Sequence, residues 1–375
     1  MRRNLRYCFL MLFVVVISLH GYTQMTSIIL RKAFYKKLKG TIGKSNVTMD
    51  INKKDSVLTG SYYYNSIGAS LSLNGKIDRN GNFLLSETNE NGKQTGIFKG
   101  NFTDTSAISG VWTAGDSKTI NNKSFTFNLK QVTEGFANII EKNGSEQFCI
   151  SEKLKDTIAP YASDTCSRTN VSAFQIVIPD KTIQNEINNF IKDELISNQG
   201  DDSPHLSDTV SFNTCINSIL TSLDDTASIG SLLNVGYGIT TNDNYILGFY
   251  ISQWSYGAGA AHGAGMSSYY NIDLKTGKQI KLDELLLPGY ADTLNKIAEK
   301  LFIAQNGNAG WNFDSGSFKL NDNFVITPAG LLYQYNVYEI GSYAANAPQV
   351  LIPYRSIDAL INPDGLLSVF WKKRK

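Results

Sequence analysis

The sequence predicts two fold classes along one chain: an all-β module, then an α+β region with antiparallel sheet and packed helices. Three observations lead there. Between about 38 and 130, short runs alternate apolar and polar residues, with hairpin dipeptides at Asn80-Gly81 and Asn91-Gly92. Beyond about 169, helical stripes and strand alternation follow one another irregularly, with hairpin-style returns, which suits α+β rather than a doubly wound sheet. Tyr and Phe, 19 each, favour sheet throughout.

The first 23 residues read as an export signal. Arg2, Arg3 and Arg6 form a basic head, residues 8–19 form an apolar run too short to span a bilayer, and Gly21 and Thr23 suit cleavage before Gln24. Cys8 opens the apolar run, the wrong place for a lipid acceptor. The mature chain is therefore expected outside the cytoplasm, periplasmic or extracellular, with no membrane span. Without the three arginines, 35 Lys+Arg fall to 32 against 33 Asp+Glu. A net charge of −1 gives no reason to expect nucleic acid as a partner.

In the module at 38–130, an apolar-x-Gly-x-apolar pattern recurs at 58–62, 73–77, 98–102 and 108–112. A strand glycine forgoes packing and marks a bulge or sharp coil, so a curved meander or partial barrel is expected. Asp78-Arg-Asn-Gly-Asn resembles a calcium loop, but its glycine comes two positions early and no Glu stands at the twelfth position; it reads as a turn. Residues 131–168 are charged, with Gly144 and Pro160, and read as a linker.

A strand at 171–179 leads into a helix whose stripe is Ile183, Ile187, Phe190, Ile191 and Leu195, capped by Asp180 or Thr182. A second helix is expected at 211–223. Two strands joined by an Asn-Asp turn follow, then the run Gly257–265 with four glycines, four alanines and His262. A strand, a helix over 290–304 and further strands complete a strand–helix module (169–254) and a C-terminal domain (255–362). A basic tail occupies 363–375.

Three cysteines remain after cleavage. Cys149 and Cys166 flank a loop and are expected to pair in an oxidising compartment, leaving Cys215 as a buried thiol on the second helix.

No complete catalytic or metal motif stands in the chain. Gly257-x-Gly259-x-x-His262 lacks the third glycine of a dinucleotide fingerprint, and neither a phosphate-binding loop, GxSxG nor HExxH occurs. Only His205 and His262 remain as mature histidines, far apart. No catalytic residue, metal or cofactor is assigned; His262 reads as a ring held by backbone in a glycine bend. Trp254, Tyr256, Tyr269, Tyr270, Tyr333, Tyr335, Tyr338, Tyr343 and Tyr354 crowd the last third, and Tyr or Trp beside Gly/Ser/Asn loops gives rigid contact area at low entropic cost. Trp254, Tyr256, His262, Tyr338 and Tyr343 are the candidate partner-binding residues.

The histidine turn at Ala261-His262-Gly263, the strand ending at 273–277, the start at 282–285, and 324–331 with 338–354 resemble a family of extracytoplasmic domains of unknown function. These occur in lysozyme-sensing anti-sigma factors and beside PdaC-type peptidoglycan deacetylase catalytic domains. The resemblance covers about 165–362 and omits the deacetylase catalytic domain. It implies a non-catalytic cell-envelope protein that binds a lysozyme-like protein or a peptidoglycan glycan. The alternative is a cell-wall hydrolase or deacetylase-like enzyme using His262.

Overall fold

The computed structural model describes residues 32–115, 123–197, 210–223, 225–308 and 310–371. The export segment, Gln24, His205 and residues 372–375 lie outside them. Among the described residues no helix is long and apolar enough to cross a membrane. The chain divides into two compact units, Met1–Thr133 and Glu134–Lys375.

The first unit holds β1 (Ala33–Ile42), β2 (Ser45–Lys54), β3 (Val57–Tyr64), β4 (Ser70–Ile77), β5 (Asn82–Thr88), β6 (Gln94–Phe102), β7 (Ala107–Ala114) and β8 (Ser124–Gln131). They form a closed antiparallel barrel, because β1 also pairs with β8 from Leu38↔Gln131 to Ile42↔Phe127. The expected curved meander or partial barrel is thus corrected to full closure. Its start moves back to Ala33: Lys36, Lys37 and Lys39 belong to β1, where Lys37 pairs with Asp50 at 2.9 Å.

Glycine explains the curvature. A Cβ at Gly40, Gly60, Gly75, Gly100 or Gly110 would lie 1.8–2.4 Å from a carbonyl oxygen of the neighbouring strand. At Gly100 it would also meet Phe127 and Phe83, whose rings, with Phe98 and Phe102, fill the interior. The four repeats seen in the sequence, joined by Gly40, are points where neighbouring strands approach and coil tightly, and at Gly100 and Gly110 core rings cross them as well. Asp78 is a turn residue, its carboxylate accepting from the backbone N–H of Asn80 (2.8 Å) and Asn82 (2.9 Å).

The second unit opens with β9 (Asn138–Cys149), a helix α1 (Glu152–Ile158) and β10 (Cys166–Val177). Most of the segment read as a linker is therefore ordered structure: β9 pairs with β10 over twelve residues. Its polarity misled, since β9 is an edge strand whose side chains are largely exposed. The facing Cys149 and Cys166 form the expected disulfide, with Cα atoms 4.1 Å apart.

Helices α2 (Lys181–Ser197) and α3 (Phe212–Leu220) follow, then β11 (Leu232–Asp243), β12 (Ile246–Tyr256) and β13 (Ala264–Asp273). Asp180 starts α2, accepting from the N–H of Thr182 and Ile183 (2.9 and 3.1 Å), and Ser211 caps α3. The sheet order is β13-β12-β11-β10-β9, antiparallel except for the parallel pair β10–β11, which α2 and α3 connect. Ile187, Ile191 and Leu195 of α2, with Cys215 and Ile219 of α3, pack on one face of this sheet. The β11–β12 turn falls at Asn244-Tyr245, both at positive φ, two residues beyond the expected Asn242-Asp243. The boundary expected at 254/255 falls inside the β12–β13 hairpin, where Ser255 opposes Ala264.

Helices α4 (Leu282–Leu285) and α5 (Ala291–Asn306), strands β14 (Phe324–Ile326), β15 (Gly330–Gln334) and β16 (Gln349–Pro353), and α6 (Ser368–Trp371) complete the unit. The three strands form a second antiparallel sheet around a core containing Leu294, Phe302, Tyr333, Tyr335 and Tyr354. The tail begins inside this core: Phe370 is buried and stacks on Tyr354. Side-chain amides stitch β13 to the second sheet. Asn271 accepts from Ile326 N and donates to Phe324 O, and Asn323 does the same for Tyr269 N and Ser267 O.

Candidate functional site: a neutral groove beside the glycine loop

Residues alternate across a strand, so β12 turns Ile251 to the helices and Ser252, Trp254 and Tyr256 to the opposite face. The register builds cross-strand rows on that face. Asn170, Asn234, Trp254 and Gly265 stand side by side, and next to them Gly236, Ser252 and Ser267. The second row is nearly free of side-chain bulk. Asn336 walls it by accepting from Ser267 N at 2.8 Å, as does the loop from there to Ala347. The result is a cleft of about 560 Å³ with no charged residue in its lining. Glu339, the nearest acid along the loop, turns its oxygens to Asn321 Nδ2 (2.7 Å) and Asn336 N (2.8 Å).

The glycine run connects antiparallel strands, as expected, and each glycine has its own reason. The Trp254 ring lies over Gly263 and Gly265: a Cβ at Gly263 would sit 2.3 Å from Trp254 Cζ2, and one at Gly265 3.3 Å from Cδ1. Gly259 adopts φ +80 beside Tyr161. His262 is exposed and stacks on Tyr343, with ring centroids 3.8 Å apart. Its Nδ1 lies 3.0 Å from Gly263 O, and a carbonyl only accepts, so Nδ1 carries a proton; Nε2 shares a hydrogen bond with the Tyr338 hydroxyl at 3.2 Å. The Tyr343 hydroxyl donates to Gly263 O at 2.8 Å. Tyr338 and Asn346 both hold φ near +60 to +70, a conformation bulky residues adopt only when the surroundings enforce it.

The structure thus brings together Trp254 and Tyr343, which line the cleft, with His262 and Tyr338, which pack against Tyr343 without lining it. Tyr256 points the same way at the end of β12 but does not line the cleft. Tyr333, Tyr335 and Tyr354 are core, Tyr269 and Tyr270 nearly so; burial pushes the Tyr269 phenol up to about 12. Sequence reading missed Asn234, Gly236, Ser252, Met266, Asn336 and Asn346. The one available signal was polar and glycine residues at the outward positions of β11 and β12, where a buried strand would carry aliphatics. Among the described residues no group of three His, Cys, Asp or Glu could hold a metal ion.

Residues 283–355 match the family described as "Protein of unknown function (DUF3298)"; this span contains Tyr338 and Tyr343 and stops short of the glycine loop. No curated protein matches the chain. Among solved structures, a DUF3298 family member from Bacteroides fragilis is 16% identical, with a TM-score of 0.52, covering 64% of this chain and 98% of its own. A DUF3298 family protein from Pseudomonas aeruginosa is 15% identical, with a TM-score of 0.45, covering 62% and 96%. At such identities the likeness to the first concerns the fold alone.

Proposed function

We propose that this chain is a non-catalytic, exported cell-envelope protein that recognises a lysozyme-like protein or a peptidoglycan glycan through the groove beside the glycine loop. The observation that carries the reading is the groove itself: concave, uncharged and lined by the Trp254 ring of β12 and by Tyr343 on the loop folded over it. The resemblance to the extracytoplasmic part of lysozyme-sensing anti-sigma factors and PdaC-type deacetylases supports the same partner classes. The export signal supports the location.

The hydrolase alternative gains nothing from the geometry. A catalytic imidazole needs an orienting acid and a facing nucleophile or metal, whereas Gly263 O and Tyr338 occupy the ring nitrogens of His262. The test is retention of the mature chain, residues 24–375, on insoluble peptidoglycan and on immobilised lysozyme. Binding to one of them, without release of soluble wall fragments, is expected. Release of fragments that stops in His262→Ala would reverse the assignment to the hydrolase.

A further inference from the structure

We infer that the groove takes an uncharged, N-acetylated sugar chain, with the Trp254 indole as its platform. This rests on the recognition reading above and selects one of its partner classes. A pyranose ring offers an apolar C–H face and an edge of hydroxyls that both donate and accept. The site that suits it has a fixed aromatic surface, side-chain amides at the sugar's edge and no unpaired charge.

Each of these is present. Trp254 is 39% exposed although Gly263 and Gly265 hold one side of its ring, so the indole is fixed by backbone and still open. Its cross-strand neighbour Asn234 accepts from Asn170 Nδ2 at 2.9 Å, which directs the Asn234 amide N–H group outward as a donor. Asn336 and Asn346 also line the cleft.

The floor is shaped by omission. A Cβ at Gly236 would meet only Ser252 Oγ, at 3.1 Å, and otherwise open space, so the missing side chain leaves volume that no core residue fills. Met266, 46% exposed, and Ala347 add apolar surface beside the amides, the mixture that an acetamido group presents in return.

Neutrality makes the inference selective. A protein partner with a charged interface would ordinarily be met by opposite charge, and the lining offers none. A glucosamine chain without its acetyl groups is cationic and would bring ammonium groups into a groove lacking any carboxylate to pair with them.

The experiment is calorimetric titration of the mature chain with the N-acetylglucosamine hexamer and, separately, with the deacetylated hexamer. Binding of the first and at least tenfold weaker binding of the second is expected. Trp254→Ala should weaken the first by about tenfold or more, the loss typical of a central aromatic anchor, and Trp254→Phe by less. Should Trp254→Ala fold poorly, Gly236→Phe fills the floor from the other side and should abolish binding while leaving the melting temperature near that of the parent.

Equal affinity for the two hexamers, or hexamer binding indifferent to both substitutions, overturns the inference. Capture of lysozyme lost in Gly236→Phe, with no hexamer binding, leaves the recognition groove standing and removes the sugar from it. Failure of peptidoglycan, lysozyme and hexamer alike removes both.

Discussion

The four glycines of the 257–265 loop should respond to alanine in four different ways, because the space around each differs. At Gly263 the new Cβ would fall 2.3 Å from Trp254 Cζ2, 1.1 Å inside the 3.4 Å at which ordinary contact begins, and 2.9 Å from Ser255 O. The backbone oxygen cannot yield, so the indole must retreat; such overpacking costs about 1–3 kcal/mol. Gly259→Ala places a side chain at φ +80, at about 1–2 kcal/mol.

At Gly265 the contacts are 3.3 Å and longer, and the change should stay within about 0.5 kcal/mol. Gly257 has nothing within 4 Å and no positive φ, so alanine there should be neutral or stabilise by about 0.4–1 kcal/mol through the unfolded chain. Urea unfolding followed by circular dichroism resolves the series, since 2 kcal/mol moves a midpoint by about 1 M when the slope is near 2 kcal/mol per M. Because Trp254 moves only in Gly263→Ala, that variant alone should also lose groove binding. Equal midpoints for Gly263→Ala and Gly257→Ala would refute the packing argument.

Three further outcomes are expected. Glu87, 2% exposed inside the barrel, accepts from Tyr62 Oη (2.5 Å), Trp112 Nε1 (2.6 Å) and Thr95 Oγ1 (2.6 Å). Glu87→Ala orphans the buried Tyr62 hydroxyl and two half-buried donors, Trp112 Nε1 and Thr95 Oγ1, and should cost about 2–4 kcal/mol by chemical denaturation, whereas Glu87→Gln keeps an acceptor and should cost about 1–2. Replacing Cys149 and Cys166 together by serine frees a loop with a sequence separation of 17 and should lower stability by about 3 kcal/mol, measured against the oxidised, disulfide-bonded parent.

Burial pushes the Cys215 thiol up to about 11, opposed by Lys192. The unfolded state then ionises first, so this contribution to stability is whole below the ordinary thiol range and is lost as pH rises toward 11. Cys215→Ala should flatten that alkaline limb, and a thiol reagent at pH 8 should label the native protein slowly. Rapid labelling of the folded chain would show that the thiol is open to solvent.

Much of this architecture is written in local sequence. Period-two alternation marked the barrel strands, Asn80-Gly81 their turn, the Ile187/Ile191/Leu195 stripe the first long helix, and the placing of Cys149 and Cys166 their bridge. These signals are legible because backbone propensity and the burial of one face act over a few neighbouring residues. The glycine repeats announced curvature, yet closure depended on β1 meeting β8, 93 residues along the chain, at Leu38↔Gln131, which only the accumulated coil of the sheet decides.

The segment at 138–149 looked like a linker because an edge strand needs few apolar residues; its identity comes from pairing with β10, a non-local fact. The same holds for the groove. The sequence placed Trp254, His262, Tyr338 and Tyr343 on its candidate surface from composition and spacing. Which tyrosines face the core, why Gly263 must be glycine, and how Asn234, Gly236 and Asn336 come to share one cleft were decided by strand register and by the loop folding back over it. Those contacts join residues as far apart as 262 and 343, whose meeting no local pattern encodes.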